Sequence, residues 1–518
     1  MNIASSFKSE KWVLLSGLAL AISALVVGCQ SDSDSSSNTS SNTSPTLSLK
    51  SQAATKVKQG DTTYQPPEAI ALDQEDGDLS EHIVVSGDSV DVHTPNTYRL
   101  RFSVQDSDNN LSKLVHTVRV ADFGARDSNF GTNGLLKVPR TIFGYSLSQG
   151  TNGDMFVAGT SETYSMSLSK YNSSGIADTG FDSDGQVISD LADSSGMASH
   201  VDANGAIYVA GDYGGRSPEQ IAVWKYQPDG QLDTRFGLDG VRFYEFPHHT
   251  WPSTNDMVMD DEGALYLTGE QHSLDGSNLF VLKLKSNGDV DATFGSAGLV
   301  VFNSRQNERG EAIALDSEQN LYVAGYSGGA GALWKLDNTG QPVNDFGRSG
   351  QVTFSQKDSN ARFSDLAIDD NNAIYVTGDL YVGGVGDEML LLKYDSQGNL
   401  AQDFGQQGVV AFNSDVVAVD GLEESKGSAI KVAQDGTLYI AGDINHNESI
   451  AVWHYDTKGQ LMPHFGDQGL VIYPLDISFS EYARDILVDE DGHAIYVTGN
   501  TGSVKSGDRQ GFVLKLIN

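Results

Sequence analysis

The sequence predicts an all-β fold in which a small β-sandwich precedes a seven-bladed β-propeller. Three phrases that recur between Asp127 and the end of the 518 residues carry that prediction. Phe-Gly-x-x-Gly stands at Phe130, Phe236, Phe294, Phe346, Phe404 and Phe465, with the variant Phe-Asp-x-x-Gly at Phe181. An apolar run closes on glycine at Gly159, Gly211, Gly269, Gly325, Gly378, Gly442 and Gly499. The third phrase ends in Lys or His followed by Tyr or Leu, from LSKY at Lys170 to VLKL at Lys515. A fixed period of this kind marks a solenoid, a propeller or an array. Residues 127–518 give seven units of about 56 residues, too long for a leucine-rich repeat and suited to a four-stranded blade.

Within one unit, strand a is read at Ala312–Asp316, b at Leu321–Gly325, c at Ala332–Leu336 and d at Gln351–Phe354. Short Asp, Asn and Gly connections such as DDEG and DEDG are hairpin chemistry, so consecutive strands are antiparallel neighbours. Both faces of a blade pack on other blades. Strand a accordingly carries Met257, Ile313, Leu366, Ile430 and Ile486, with small Ala314 and Ala367 where sheets converge. The Phe of Phe-Gly-x-x-Gly is expected as a buried wedge, its glycines supplying positive φ or close backbone approach. The chain ends on a c strand with no d strand after it, whereas Phe130 leads into LLKV before any a strand. Leu135 to Val138 is therefore expected beside Phe512 to Ile517, closing the ring and removing its open edges.

LDTRFGLDG at Leu232 to Gly240, together with the Ile-Tyr-Val-Ala-Gly strands and the Lys-Tyr phrase, resembles the delta-60 repeat of bacterial β-propellers. The likeness covers about three quarters of the chain; Phe181 and His454 depart from it. It implies a fold and no catalytic residues.

Residues 1–28 have the form of an export signal, with Lys8 and Lys11 ahead of an apolar run from Trp12 to Val27. The end, Val26-Val27-Gly28-Cys29, resembles the bacterial lipobox, and that resemblance implies lipidation of Cys29, the single cysteine. Gln30, where inner-membrane lipoproteins often carry Asp, implies by the same resemblance an outer-membrane lipoprotein, facing either the periplasm or the cell surface. Residues 29–44 are Ser-rich and polar and read as a tether. From 45 to 122, short alternating runs such as YRLRFSVQD and HTVRVAD, separated by Gly, Asp, Asn and Pro, read as a small antiparallel sandwich. This stretch resembles the immunoglobulin-like domains of bacterial surface proteins, so the resemblance implies an immunoglobulin-like β-sandwich acting as a spacer. Its Asp73, Asp76, Asp78, Asp106 and Asp108 lie in two turns. Their spacing is not that of an EF-hand, and Asp in turns commonly caps its own backbone.

A net charge of −36 excludes nucleic acid and leaves the lipid anchor as the membrane contact. Binding falls to variable loops on rigid scaffolds, here the b–c and d–a connections. The richest, from Phe243 to Asp256, offers Tyr244, Phe246, His248, His249 and Trp251 to a sugar or protein ligand; the competing reading folds these aromatics onto the propeller itself. Asp256, Asp365 and Asp485 occupy one equivalent position at the start of strand a, where a divalent cation such as Ca2+ would be held, or where they cap loops. GYSGG at Gly325 to Gly329 matches a nucleophile pattern but follows a strand into a loop, without the helix that such an elbow needs. The expectation is a non-enzymatic, lipid-anchored envelope protein that presents a propeller face to a protein or glycan. The alternatives are a cation-dependent lactonase or lyase acting on sugars, and a periplasmic outer-membrane assembly factor.

Overall fold

The computed structural model describes residues 43–50, 54–215, 220–246, 250–273, 276–356, 359–383, 386–412, 424–475, 480–489, 492–502 and 509–518. The signal segment, Cys29 and Gln30, like His248 and His249, lie outside the described residues. The chain divides into two compact units. One holds residues 69–84 and 103–113 together with the stretch before residue 49, and the other holds Leu49–Glu68, Val85–Phe102 and Leu114–Asn518.

In the first unit, Ala71, Leu79 and Val104 form a small buried cluster. Its aspartates serve the backbone: Asp73 accepts the N–H groups of Glu75 and Asp76, both at 2.8 Å, and Asp106 accepts those of Asp108 at 3.0 Å and Asn110 at 2.7 Å. Strands from 46 to 121 form two sheets, one ordered Thr46–Leu49, Ala69–Asp73, Gly77–Asp78 and the other Lys56–Lys58, Leu111–Ala121, Asn96–Gln105, Val84–Gly87. The antiparallel expectation is corrected at one pair: Lys56–Lys58 runs parallel to Arg119–Ala121. Its flanking N–H groups fix that direction, Arg119 donating to Thr55 and Gln59 to Ala121, each at 2.8 Å.

From residue 135 onward the described residues form seven four-stranded sheets, each ordered a-b-c-d. The first is Thr141–Gln149, Met155–Ser161, Ser165–Tyr171 and Gln186–Ala192; the fourth is Glu308–Leu315, Leu321–Ser327, Ala330–Leu336 and Gln351–Phe354. In the seventh, strands Glu481–Val488, Ala494–Thr501 and Gln510–Ile517 take their fourth member from Leu135–Lys137, with Phe512 opposite Lys137 and Leu514 opposite Leu135. The a strand of each sheet lies against that of the next, and the seventh against the first, so the contacts close into a cycle.

The recurrent phrases become one repeated joint. Each phrase Phe is at most 1% exposed and meets an aromatic ring of strand b edge-on, as Phe346 meets Tyr322 at 5.6 Å and Phe404 meets Tyr375 at 5.9 Å. The lysine of strand c lies over the same strand-b ring, Lys335 over Tyr322 at 4.8 Å, and in five of the six repeats that carry it reaches a carboxylate, as Lys283 reaches Asp291 at 3.5 Å. The glycine after Phe has positive φ, +54° at Gly347, and its N–H donates to a carbonyl of the next sheet, Gly347 to Gln397 and Gly405 to Lys458. At the seam, Gly466 donates to Phe123 at 2.8 Å, so Phe123 takes the place that a c–d turn residue of the next sheet takes elsewhere. Phe123 is buried with Phe465, Phe512 and Leu514, and this extends the repeat region back beyond Asp127.

Glycine at the end of strand b has a separate cause. A Cβ there would overlap a strand-a carbonyl oxygen, that of Arg362 for Gly378 and that of Arg309 for Gly325. Just beyond this close approach strand a bulges, between Phe363 and Asp365 in the fifth sheet and between Ala483 and Asp485 in the seventh.

Candidate functional site

The a strands surround an axial cavity of about 790 Å3 lined by Asp256, Asp365, Asp485, Ser146 and Lys431, with the a–b turn residues Asp316 and Asp369 at its rim. The three aspartates do not begin their strands as expected. They sit mid-strand, directly after the bulge, because strand a extends upstream to Trp251, Ser359 and Glu481. Each carboxylate joins two sheets. Asp256 accepts the N–H of Met257 at 2.7 Å and that of Ile313 in the next sheet at 2.8 Å. Asp365 takes Leu366 and Ile430, and Asp485 takes Ile486 and Leu147, all at 2.7 Å.

Burial pushes Asp256 up to about 7 and Asp485 to about 6, against those hydrogen bonds, and raises Asp365 well above the usual carboxylate range. The expected cation site is corrected by this geometry. Both oxygens of each carboxylate are committed to backbone donors, and among the described residues no group of three His, Cys, Asp or Glu is placed to hold a metal ion.

The aromatic loop is likewise redistributed. Phe246 is 7% exposed and packs on Phe280 at 4.8 Å and Tyr244 at 5.0 Å, within the core cluster of the second and third sheets. It is core, which removes it from the ligand candidates, and Tyr244 packs against the same cluster. Trp251 stays 38% exposed, opposite His272 on strand b.

Outside the residues that line this cavity, around the strand-a bulges, lies a belt of charge that the repeat phrases do not mark. Arg362 pairs across the ladder with Asp379, and Lys426 with Asp443. Arg309 bridges Glu270 at 3.0 Å and Glu311 at 2.7 Å, while Lys426 reaches Asp387 at 2.8 Å. Burial raises Asp379 to about 6 and Asp443 to about 7, the Arg362 and Lys426 charges pulling Asp379 down and those of Arg484 and Lys426 pulling Asp443 down. Asp443 also latches sheets, accepting the Ala483 N–H at 2.7 Å, as Asp212 accepts that of Thr254 at 2.7 Å.

Aromatic rings continue the belt across the seam. Phe143 and Tyr145 stack at 5.5 Å, Arg509 covers Phe143 at 4.5 Å, and Arg484 lies 6.0 Å from Tyr145 and 5.3 Å from Tyr482. The signal was available in the repeats. Arg309, Arg362 and Lys426 fall in one column, each two residues ahead of an extra bulge residue that breaks the even spacing of strand a.

Residues 47–120 match the family described as bacterial surface protein, Ig-like domain, and residues 203–236 match the domain of unknown function (DUF5122) beta-propeller. The chain therefore combines a bacterial surface-type Ig-like domain with beta-propeller repeats, and the first match points to the cell envelope. A comparison with curated proteins gives no match. Among solved structures, a protein from Lactobacillus plantarum is 14% identical, with 73% of this chain and 95% of that one covered and a TM-score of 0.40. A polysaccharide lyase described as an ulvan lyase is 12% identical, with 74% and 96% covered and a TM-score of 0.42. A putative 6-phosphogluconolactonase from Bacteroides fragilis is 11% identical, with 69% and 93% covered and a TM-score of 0.41.

Proposed function

We propose that this chain is a lipid-anchored envelope protein that binds its ligand at the d–a end of a seven-bladed propeller, with an immunoglobulin-like sandwich as spacer and Cys29 as the anchor. The observation that carries the binding reading is the belt itself. Arg362 and Arg484 are exposed on their a strands, near Asp379 and Asp443, whose carboxyls burial raises. Rigid strands hold the belt, and this favours recognition by a preformed surface.

Anchoring is tested by fractionating bacteria that express the full chain or its Cys29→Ala form. The parent should remain with membranes and take up labelled fatty acid, and the variant should do neither. Equal membrane retention of the two would overturn the anchor. Protease added to intact cells then separates a surface display, which is digested, from a periplasmic one, which is spared.

A further inference from the structure

We propose that Ser277, His272 and Glu270 form a serine-hydrolase site on the third sheet, and that it removes short-chain acyl groups esterified to a sugar. This goes beyond the binding reading above and stands without it, since neither the belt arginines nor the Cys29 anchor takes part.

Strand register builds the site. Trp251 of strand a, His272 of strand b and Ser277 of strand c lie directly opposite one another in one row, so their side chains share a face of the sheet, and Glu270, two residues before His272, shares it too. The Ser277 hydroxyl is 2.9 Å from His272 Nδ1, and His272 Nε2 is 3.3 Å from Glu270 Oε1. An ionised carboxylate only accepts, so it holds the ring proton on Nε2 and leaves the Nδ1 lone pair to take the serine proton. Glu270 is buried and is also held by Arg309 Nη1 at 3.0 Å, whereas His272 is exposed.

Asn307 supplies what the three side chains lack. Its Oδ1 accepts the Ser277 N–H at 3.1 Å, which sets the carboxamide beside the nucleophile with its NH2 as the donor for the oxyanion that forms there. Gly276 makes that approach feasible: its φ of +126° favours glycine, and a Cβ on it would collide with Asn307 Oδ1.

The chemistry balances with water as co-reactant. Ser277 Oγ adds to the ester carbonyl carbon while its proton passes to His272 Nδ1; the bond to the sugar oxygen then breaks, and that oxygen takes the proton. Water adds to the acyl-serine and gives a proton to Nδ1, and the acid leaves as Ser277 Oγ takes that proton back. The Trp251 ring, exposed beside His272, is the face on which the sugar stacks, and the exposure of both residues suits an acyl group carried on a large glycan.

The experiment treats the full chain with a fluorophosphonate, locates the adduct by peptide mass spectrometry, and follows hydrolysis of p-nitrophenyl acetate and acetate release from an acetylated xylo-oligosaccharide. A single adduct on Ser277 is expected, and labelling of the unaltered chain needs no variant to fold. Ser277→Ala and His272→Gln should each lower both hydrolyses at least about a hundredfold. Glu270→Gln, which acts through the position of His272, should lower kcat about a hundredfold with KM unchanged. Trp251→Ala should raise KM for the oligosaccharide about tenfold with kcat unchanged. Ser327→Ala, in the GYSGG stretch, should behave as the parent. No adduct, an adduct on another residue, or hydrolysis that survives Ser277→Ala would overturn the site. Labelled Ser277 and hydrolysis of p-nitrophenyl acetate without acetate release from the oligosaccharide would overturn the sugar ester as substrate while leaving the hydrolase site standing.

Discussion

Asp256→Asn isolates what it costs to bury one ionisable latch. In the folded chain burial raises Asp256 from 3.8 to about 7, its two backbone hydrogen bonds opposing the rise and the Asp485 charge adding to it. An unfolded chain releases that proton near 3.8, so as pH rises the unfolded state gains first. The stability tied to this group is complete below about 4 and is lost as pH climbs through about 7. At about 1.4 kcal/mol per pH unit, the gap corresponds to about 4 kcal/mol. Solvent entering the axial cavity screens part of this, leaving roughly 2 kcal/mol. Asparagine cannot ionise and keeps one acceptor, so it strands one of the two N–H groups at a pH-independent cost of about 1–3 kcal/mol. Urea unfolding of parent and variant across this range should show the variant weaker at acid pH, with the difference shrinking by about 2 kcal/mol toward neutral and mildly alkaline pH. His454 and His464, which burial pushes down to about 2 and about 4, titrate identically in both proteins and cancel from the comparison. A difference that stays constant with pH would refute the argument, because Asp256 would then be ionised in the fold throughout.

Phe346→Ala removes a wedge that is 1% exposed and set edge-on against Tyr322; it should cost about 3–5 kcal/mol in denaturant unfolding. Gly378→Ala would drive a methyl group into the Arg362 carbonyl, so a loss of about 1–3 kcal/mol is expected, together with weaker ligand binding at the belt. His454→Lys restores the residue found in six repeats yet should destabilise by about 3 kcal/mol, since it would bury an ammonium beside the Lys56 charge with Met462 where Asp233 and Asp291 receive lysine elsewhere. Adding Met462→Asp should recover most of that loss in thermal melting, and no recovery would show that the partner carboxylate is not what the lysine needs.

Strand content and strand order were legible because the repeats state them seven times over. A residue type that recurs at one position in seven different neighbourhoods must answer to the position, and Phe at the turn and Gly at the end of strand b both do. The partner of the last c strand was legible for a related reason, since an unpaired strand at each end of the repeat region leaves one way to satisfy both. The belt was harder to read. Arg362 precedes a bulge and Arg484 is itself the extra residue of one, and a bulge shifts side-chain parity by one residue without leaving any mark in hydrophobic alternation. Phe246 misled for another reason: an aromatic residue ahead of a proline looks like loop, and only the Phe280 ring across the sheet interface shows that it belongs to the core. His454 registered as a departure, but its cause lay far away in sequence, where Phe123 and Lys56 approach His464.

The aspartates that resemble a metal site answer instead to a problem of counting. Sheets three, five and seven carry Asp256, Asp365 and Asp485 on strand a, and facing them on strand b Thr268, Thr377 and Thr498. The sheets that follow them carry Gly310, Gly427 and Gly144, where a Cβ would collide with those threonine hydroxyls. At this position aspartate-bearing sheets and receiver sheets therefore alternate, each Asp accepting an N–H from the next sheet and each Thr filling the space its neighbour's glycine leaves. Alternation cannot close on an odd number, and with seven sheets two receivers must meet. They meet at the first and second, where Ser146 stands in for the aspartate and accepts the Ser199 N–H at 3.1 Å, and where Gly196 faces Met166 in place of a threonine. A serine latch carries no charge to desolvate, so this joint should hold equally well across the pH range over which the three aspartate joints weaken. Ser146→Asp should lend it the same pH dependence, measurable as a steeper fall in stability from acid to neutral pH. An unchanged slope would mean that the charge at this position, and with it the division into aspartate-bearing and receiver sheets, does not govern how the sheets are joined.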